Sequence, residues 1–251
     1  MAIEAGYVIS ADRKVTTDLS KSRVDRAGEL LALAHRGPTE VSMEDRLAAI
    51  GIVDAWRQLH AGPLEWVTDK VGLRVDWVSA RCVVAQRLKR MPQIIKKLAR
   101  YDKMHLARMQ DLGGCRIVLA DLDAVNAAAR LIRSYGTNRW TVKHEADYRE
   151  EGRSDTGYRA LHMIVVREER LIEIQLRTLR QHAWAEAVER VTALSDHDVK
   201  EGRAPDDFLE YFRLASDGFH QMDCSRGVTP KHRSRYRKLH AVLGPYVLAQ
   251  G

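Results

Sequence analysis

Tyr158, His162, Glu173, Gln175 and Arg177 are the residues whose types and spacing could do chemistry, and they fall in one stretch, GYRALHMIVVREERLIEIQLRT, from Gly157 to Thr178. Apolar residues alternate from Leu161 to Arg167 and again from Leu171 to Arg177 around a charged Glu168-Glu169-Arg170 turn, the pattern of a β-hairpin. In the second run Ile172, Ile174 and Leu176 share one face, so Glu173, Gln175 and Arg177 share the other. Such a row fits an ordinary half-buried strand whose polar side meets water as well as it fits a site. The neighbourhood tilts the choice. Tyr158 and His162 accompany the first run, and Gly157 frees the backbone ahead of the tyrosine. An aromatic ring, an imidazole and a carboxylate on adjacent strands suit a bound base, its sugar hydroxyl and a metal.

Two upstream stretches add charge. The segment from Gln86 to Arg100 is dense in cations, and Pro92 is placed to open a helix. A solvated basic face is the usual fate of such a run. Against that, Lys97 lies one helical turn from Gln93 and Arg100 another turn on, so cations line a face that begins at a helix N-terminus, an arrangement that would serve a triphosphate well. Asp111-Leu112-Gly113-Gly114 then leads into an alternating strand, Cys115 to Leu119. An aspartate before two glycines lets a backbone approach a phosphate, and it is also a common turn.

GYRALH followed by IEIQLRT resembles the synthetase domain of the RelA/SpoT family. Members transfer pyrophosphate from ATP to the 3′-hydroxyl of a guanine nucleotide or, in toxic small members, to the 3′ end of tRNA. The family's R-x-K and S-I-x-x-K-L pattern is matched by Arg87, Lys89, Ile94, Lys97 and Leu98, with Gln93 in place of the serine. Its D-L-x-G-x-R-I-V pattern is matched from Asp111 to Val118. The usual Pro-Lys pair before G-Y-R is missing; Arg153-Ser154-Asp155-Thr156 stands there, with Arg153 as a substitute for the lysine.

The resemblance covers residues 81 to 191 and implies an α/β (α+β) nucleotidyltransferase-like fold, a mixed β-sheet flanked by helices. It implies a GTP/GDP diphosphokinase-like pyrophosphotransferase. Asp111 and Glu173 would hold Mg²⁺, and Glu173 would also take the proton from the attacking hydroxyl. Arg87, Lys89, Lys97, Arg100 and Arg116 would bind ATP. Tyr158, His162, Gln175 and Arg177 would bind and orient the acceptor. GDP or GTP is the first expectation for that acceptor, giving guanosine tetra- or pentaphosphate. An alternative is a toxic synthetase acting on the tRNA CCA end, with an antitoxin protein as partner, because RTLRQHAWAEAVE is most similar to the toxic small members and their phage-defence relatives. A catalytically inactive nucleotide-binding module is the third reading, and the presence of every expected carboxylate and cation argues against it. His197-Asp198 resembles the family's hydrolase HD pair but lacks the other ligands, so alarmone hydrolysis is not expected.

Elements must position these residues. Helices are expected from Arg23 to Arg36 and from a Ser42/Asp45 capping box to Gly62-Pro63, then a short strand or helix entry over Val71 to Val78. Four strands are expected between Gly113 and Arg177, with a helix from Asp121 closed by Gly136 between the first two. Leu179 to Leu194 should be a helix with Trp184 and Val188 in its core stripe, with His182 a supporting residue one turn from Glu186. A last helix from Pro205-Asp206 should cover the sheet, followed by a basic tail carrying Lys231, Arg233, Arg235, Arg237 and Lys238. The chain of 251 residues divides accordingly into an N-terminal helical region (1–80) packed on the core, a synthetase core (81–194) and a C-terminal helix with its tail (195–251).

A formal charge of +7 and a pI near 9.4 favour anionic partners. Cys82, Cys115 and Cys224 have no metal-like spacing and an odd count, which suits a reducing cytoplasmic setting. Without a long apolar run, no membrane role is expected.

Overall fold

A computed structural model of the chain describes residues 19–38, 40–79, 82–136, 139–195 and 197–248. The start of the expected N-terminal helical region and the boundary expected at 80/81 fall outside them. In order, the elements are α1 (Lys21–Arg36), α2 (Met43–Gln58), α3 (Ala61–Val75), β1 (Val83–Leu88) and α4 (Met91–Arg100). Next come β2 (Gly113–Leu119), α5 (Leu122–Gly136), β3 (Thr141–Asp147), β4 (Leu161–Arg167) and β5 (Arg170–Thr178). Three helices follow: α6 (Leu179–Leu194), α7 (Asp206–Asp223) and α8 (Pro230–Leu248).

Two compact units result, one comprising the chain through Trp56 with Met91–Ala107, the other Arg57–Arg90 with everything from Arg108. In the first, the stripe Val24, Ala27 and Leu31 of α1 is buried, as its spacing requires. Gly28 lets α1 approach α4 closely, since a Cβ there would stand 3.1 Å from Leu98 Cδ1. Arg36 Nε donates to the Ala99 carbonyl at 2.8 Å, and Asp25 accepts from the Ala107 amide at 2.7 Å. Ser42 caps α2, its Oγ accepting from the Asp45 amide at 3.0 Å. Pro92 is the second residue of α4, as expected. Lys97 and Arg100 lie in the last turn of that helix, where their charge complements its C-terminal partial charge.

The second unit is built on a five-stranded sheet of order β1-β2-β5-β4-β3. It is mixed: β2 and β5 run parallel, and the other neighbours are antiparallel. β1 adds a strand to the four expected. The β4–β5 hairpin turns more tightly than its sequence suggests, because Arg170 already pairs with Arg167 and only Glu168 and Glu169 make the turn, at φ 49 and 61. One face of the sheet is apolar. Cys115, Ile117, Leu119, Ile172, Ile174 and Leu176 pack there with Val67 and Val71 of α3 and Val125, Ala128 and Ile132 of α5. Val71 to Val75 is thus the end of a helix and not a strand. Gly62-Pro63, expected to end α2, instead lies in the first turn of α3, where a proline's missing N–H costs nothing.

Trp184, Val188 and Val191 of α6 form a second core with Tyr211 and Phe212 of α7 and Leu239 and Leu243 of α8. α7 was expected last and over the sheet. It packs instead between α6 and α8, because its apolar stripe meets theirs, and the basic tail is itself a helix. Arg235 of α8 fixes that pairing through Glu210, at 2.8 Å, and Asp207, at 3.2 Å. The rings of Tyr211 and Tyr236 stack 5.3 Å apart beneath it. Among the described residues, no helix is long and apolar enough to cross a membrane.

Candidate active site

The opposite face of the sheet carries the polar residues, and strand register brings them together. Arg87 pairs with Gly114 and Gly114 with Glu173; one step on, Arg116 pairs with Gln175 and Gln175 with His162; Arg177 lies opposite Val118. Period-2 alternation therefore puts Arg87, Arg116, His162, Glu173, Gln175 and Arg177 on one surface. Gly114 leaves a gap between Arg87 and the acid, since a Cβ there would stand 3.8 Å from Glu173 Oε2. Asp111 stands just before β2, and its Oδ2 meets Lys89 Nζ at 2.9 Å. The Lys89 amide donates to the Leu112 carbonyl at 2.8 Å, which fixes the segment after β1 beside that aspartate. Of the eleven residues singled out by sequence, nine thus belong to this unit. Lys97 and Arg100 belong to the other.

Hydrogen bonds converge on Glu173. Its Oε1 lies 2.9 Å from His162 Nδ1, and its Oε2 accepts from Gln175 Nε2 at 2.6 Å. The Tyr158 hydroxyl lies 2.6 Å from His162 Nε2. Arg177 Nη2 donates both to that hydroxyl, at 2.8 Å, and to Gln175 Oε1, at 3.1 Å. Burial pushes the Glu173 carboxyl up, but the hydrogen bonds from His162 and the Gln175 amide oppose it, and the group is held below the usual carboxylate range. The charge of Asp111 acts the other way, so the two carboxylates feel one another.

Cations crowd the same face. Burial lowers the Arg116 pKa, and the charges of Arg177 and Arg87 lower it further. Arg177 is only 4% exposed, and its Nε and Nη1 are buried without a hydrogen-bond partner, as is Nε of Arg116. Guanidinium donors in that state suit an anion. α6 supplies a further wall. His182 Nε2 lies 3.3 Å from Glu186, and burial lowers its pKa along with the charges of Arg116 and Arg177. Burial opposes the charge of Glu189, but Lys200, Arg116 and Arg87 outweigh it and hold its carboxyl low.

Sequence reasoning missed three contributors. Tyr148 meets the rings of Tyr158 and His162 edge-on at 6.2 and 5.7 Å, and only its position at a strand end could have marked it. Glu189, read merely as part of a core helix, faces the arginines. Arg159, within GYRALH, is 5% exposed and bridges the loop before Tyr158 to α7: Nε donates to Ser216 Oγ at 3.2 Å, Nη1 to the Arg149 carbonyl at 2.6 Å and Nη2 to Asp217 at 2.8 Å. Arg153, the substitute for the family's lysine, pairs with Asp155 at 2.8 Å. The His197 ring packs against Phe208 and Asp198 binds Arg203.

Comparison with known proteins gives concordant results. Residues 86–193 match the model of a region found in RelA / SpoT proteins. GTP pyrophosphokinase YjbM of Bacillus subtilis (strain 168) is 30% identical over 112 residues, 41% of this chain and 52% of that protein. The uncharacterized protein Rv1366 of Mycobacterium tuberculosis is 26% identical over 150 residues, 59% of this chain and 52% of that one. The chain thus spans about half the length of the curated relatives it matches. Small alarmone synthetase 1 from Bacillus subtilis bound to its product pppGpp shares the fold with a TM-score of 0.56 at 20% identity, over 73% of this chain and 97% of that one. A GTP pyrophosphokinase family protein from Streptococcus pneumoniae gives the same score and identity over 77% and 97%. The α+β fold with its mixed sheet, the polar row on β1, β2, β4 and β5, and the matched segment together identify a RelA/SpoT-family synthetase domain in this chain, over residues 86–193.

Proposed function

We propose that the protein is a pyrophosphokinase that transfers the β,γ-pyrophosphate of ATP to the ribose 3′-hydroxyl of GDP or GTP. The observation that carries this reading is Glu173, a buried carboxylate kept ionised and donated to at both oxygens, across Gly114 from Arg87 and on the same sheet face as Arg116. In the reaction the 3′-oxygen bonds to the β-phosphorus, the bond from that phosphorus to the α,β-bridging oxygen breaks, and AMP leaves with the electron pair. Glu173 takes the hydroxyl proton. Arg87, Lys89 and Arg116 bind the triphosphate. The buried, unpartnered donors of Arg177 suit an anionic group of the acceptor, whose base lies on the Tyr158 side of the row.

Asp111 and Glu173 suit magnesium. They are hard oxygen donors close enough to feel each other's charge, and Mg²⁺ is commonly held by one or two carboxylates plus substrate phosphates. When bound, the ion neutralises charge on the transferred group.

A second reading, transfer to the CCA end of tRNA with an antitoxin as partner, draws support from α8. Lys231, Arg233, Arg237 and Lys238 are exposed on it, and the helix carries no carboxylate. Incubation with labelled ATP and GDP, GTP or bulk tRNA separates the readings. Label on the guanine nucleotide is expected; label on tRNA alone would transfer the assignment to the second reading, and no transfer to any acceptor would overturn both.

A further inference from the structure

The hydrogen bonds around Glu173 form a closed ring whose polarity donor counting fixes. Arg177 Nη2 can only donate, so the Tyr158 hydroxyl accepts from it and still has a hydrogen to give; an ionised Glu173 can only accept, so His162 Nδ1, 2.9 Å from its Oε1, carries a hydrogen. A neutral imidazole that donates at Nδ1 accepts at Nε2, and the Tyr158 hydroxyl stands 2.6 Å from Nε2 to donate there. The second branch runs from the same guanidinium nitrogen to Gln175 Oε1, and from Gln175 Nε2 to Glu173 Oε2. Both carboxylate oxygens are therefore reached from one anchor, by two routes, with every donor pointing toward the acid.

Resting on the transferase reading above, we infer that Tyr158 and His162 are positioning residues for Glu173: the tyrosine hydroxyl selects the imidazole tautomer that orients the carboxylate. This gives Tyr158 a task that its ring alone cannot perform. A phenylalanine would keep the aromatic faces, and with them any stacking on a base, and its edge contacts to Tyr148 and Trp184. It would lose only the hydroxyl. Without that donor the imidazole is free to carry its hydrogen on Nε2, which turns a lone pair toward Glu173 in place of an N–H.

The test uses the full chain in three variants, Tyr158→Phe, His162→Asn and the double variant. Asparagine places an amide donor near the position of Nδ1 but cannot bond the tyrosine as Nε2 does. Tyr158→Phe is expected to lower kcat roughly tenfold or more, the scale of one hydrogen bond to a charged group, while the KM values for ATP and acceptor stay within about twofold. In the His162→Asn background the same change is expected to cost nothing further, because the pair acts as a unit. Nitrogen chemical shifts of histidine-labelled protein, with His162 identified by its loss in His162→Asn, should report the Nδ1–H tautomer in the parent chain and a different or mixed tautomer in Tyr158→Phe. A Tyr158→Phe variant with unaltered kcat, with only KM raised, or with an unaltered His162 tautomer would overturn the inference and leave Tyr158 a stacking or packing residue. Should the parent chain transfer nothing, the transferase reading fails, and the tautomer measurement still decides whether the ring is built as described.

Discussion

Glu173 and Asp111 play unequal parts in the fold, and their variants separate structure from chemistry. Asp111 meets Lys89 with both side chains about one-fifth exposed, so Asp111→Asn should change stability by about 1 kcal/mol or less. Its transfer activity should nevertheless fall by several orders of magnitude, since losing a metal ligand removes several kcal/mol from the transition state. Glu173→Gln should be equally inactive. Melting curves beside turnover check both; a variant that unfolds early and regains full rate when cooled would make the residue structural. The sequence carried much of this site because β-alternation alone put Glu173, Gln175 and Arg177 on one face. It could not show that His162 and Tyr158 join that row, for a tyrosine ahead of a strand obeys no period. The register of β4 on β5, which sets His162 opposite Gln175, is a tertiary fact.

At the scale of elements, α7 and α8 depart furthest from what their sequence suggested. Both show helical periodicity, but periodicity gives the direction of an apolar stripe and not the stripe it meets; α7 found α6 and α8. The same gap hid β1, a stretch to which the sequence assigned no element and which pairing with β2 draws into the sheet. α7 also bears on the loop before Tyr158. Gly157 sits at φ +80, and a Cβ there would stand 3.0 Å from Arg213 Cα on α7. Gly157→Ala should therefore destabilise the protein by roughly 1–3 kcal/mol, and a melting midpoint equal to that of the parent would show that the loop is not seated on α7 as described. Arg235 is held by Glu210 and Asp207, so the α8 face offers four cations to a polyanion and not five. If tRNA is bound, neutralising Lys231, Arg233, Arg237 and Lys238 should reduce the slope of log K against log salt by about 0.7–0.9 for each lost phosphate contact, with transfer to GDP spared. An unchanged slope would mark the face as merely solvated.

For the molecule as a whole, charge pairing sets the response to acid. Hydrogen bonds from Arg133, Arg149 and Arg235 hold Glu145, Asp147 and Glu210 below their ordinary carboxylate values, each against some burial. A carboxylate with a depressed folded pKa adds stability that is present above its unfolded value, near 4, and is lost as pH falls through the folded one. The melting midpoint should thus hold from neutrality to about pH 5 and decline below it, less so in high salt, because these pairs are largely exposed. A midpoint that rose on acidification would contradict that sign. The central claim is that the polar face of the sheet transfers pyrophosphate through Glu173, and one measurement meets it directly. The purified chain and its Glu173→Gln variant are given γ-labelled ATP, magnesium and GDP, and the products are resolved with time. The account predicts that label moves from ATP to a guanosine tetraphosphate with one AMP formed per transfer, and that the variant gives neither. Labelled inorganic phosphate with ADP and no labelled guanine nucleotide, or equal transfer by the variant, would contradict it.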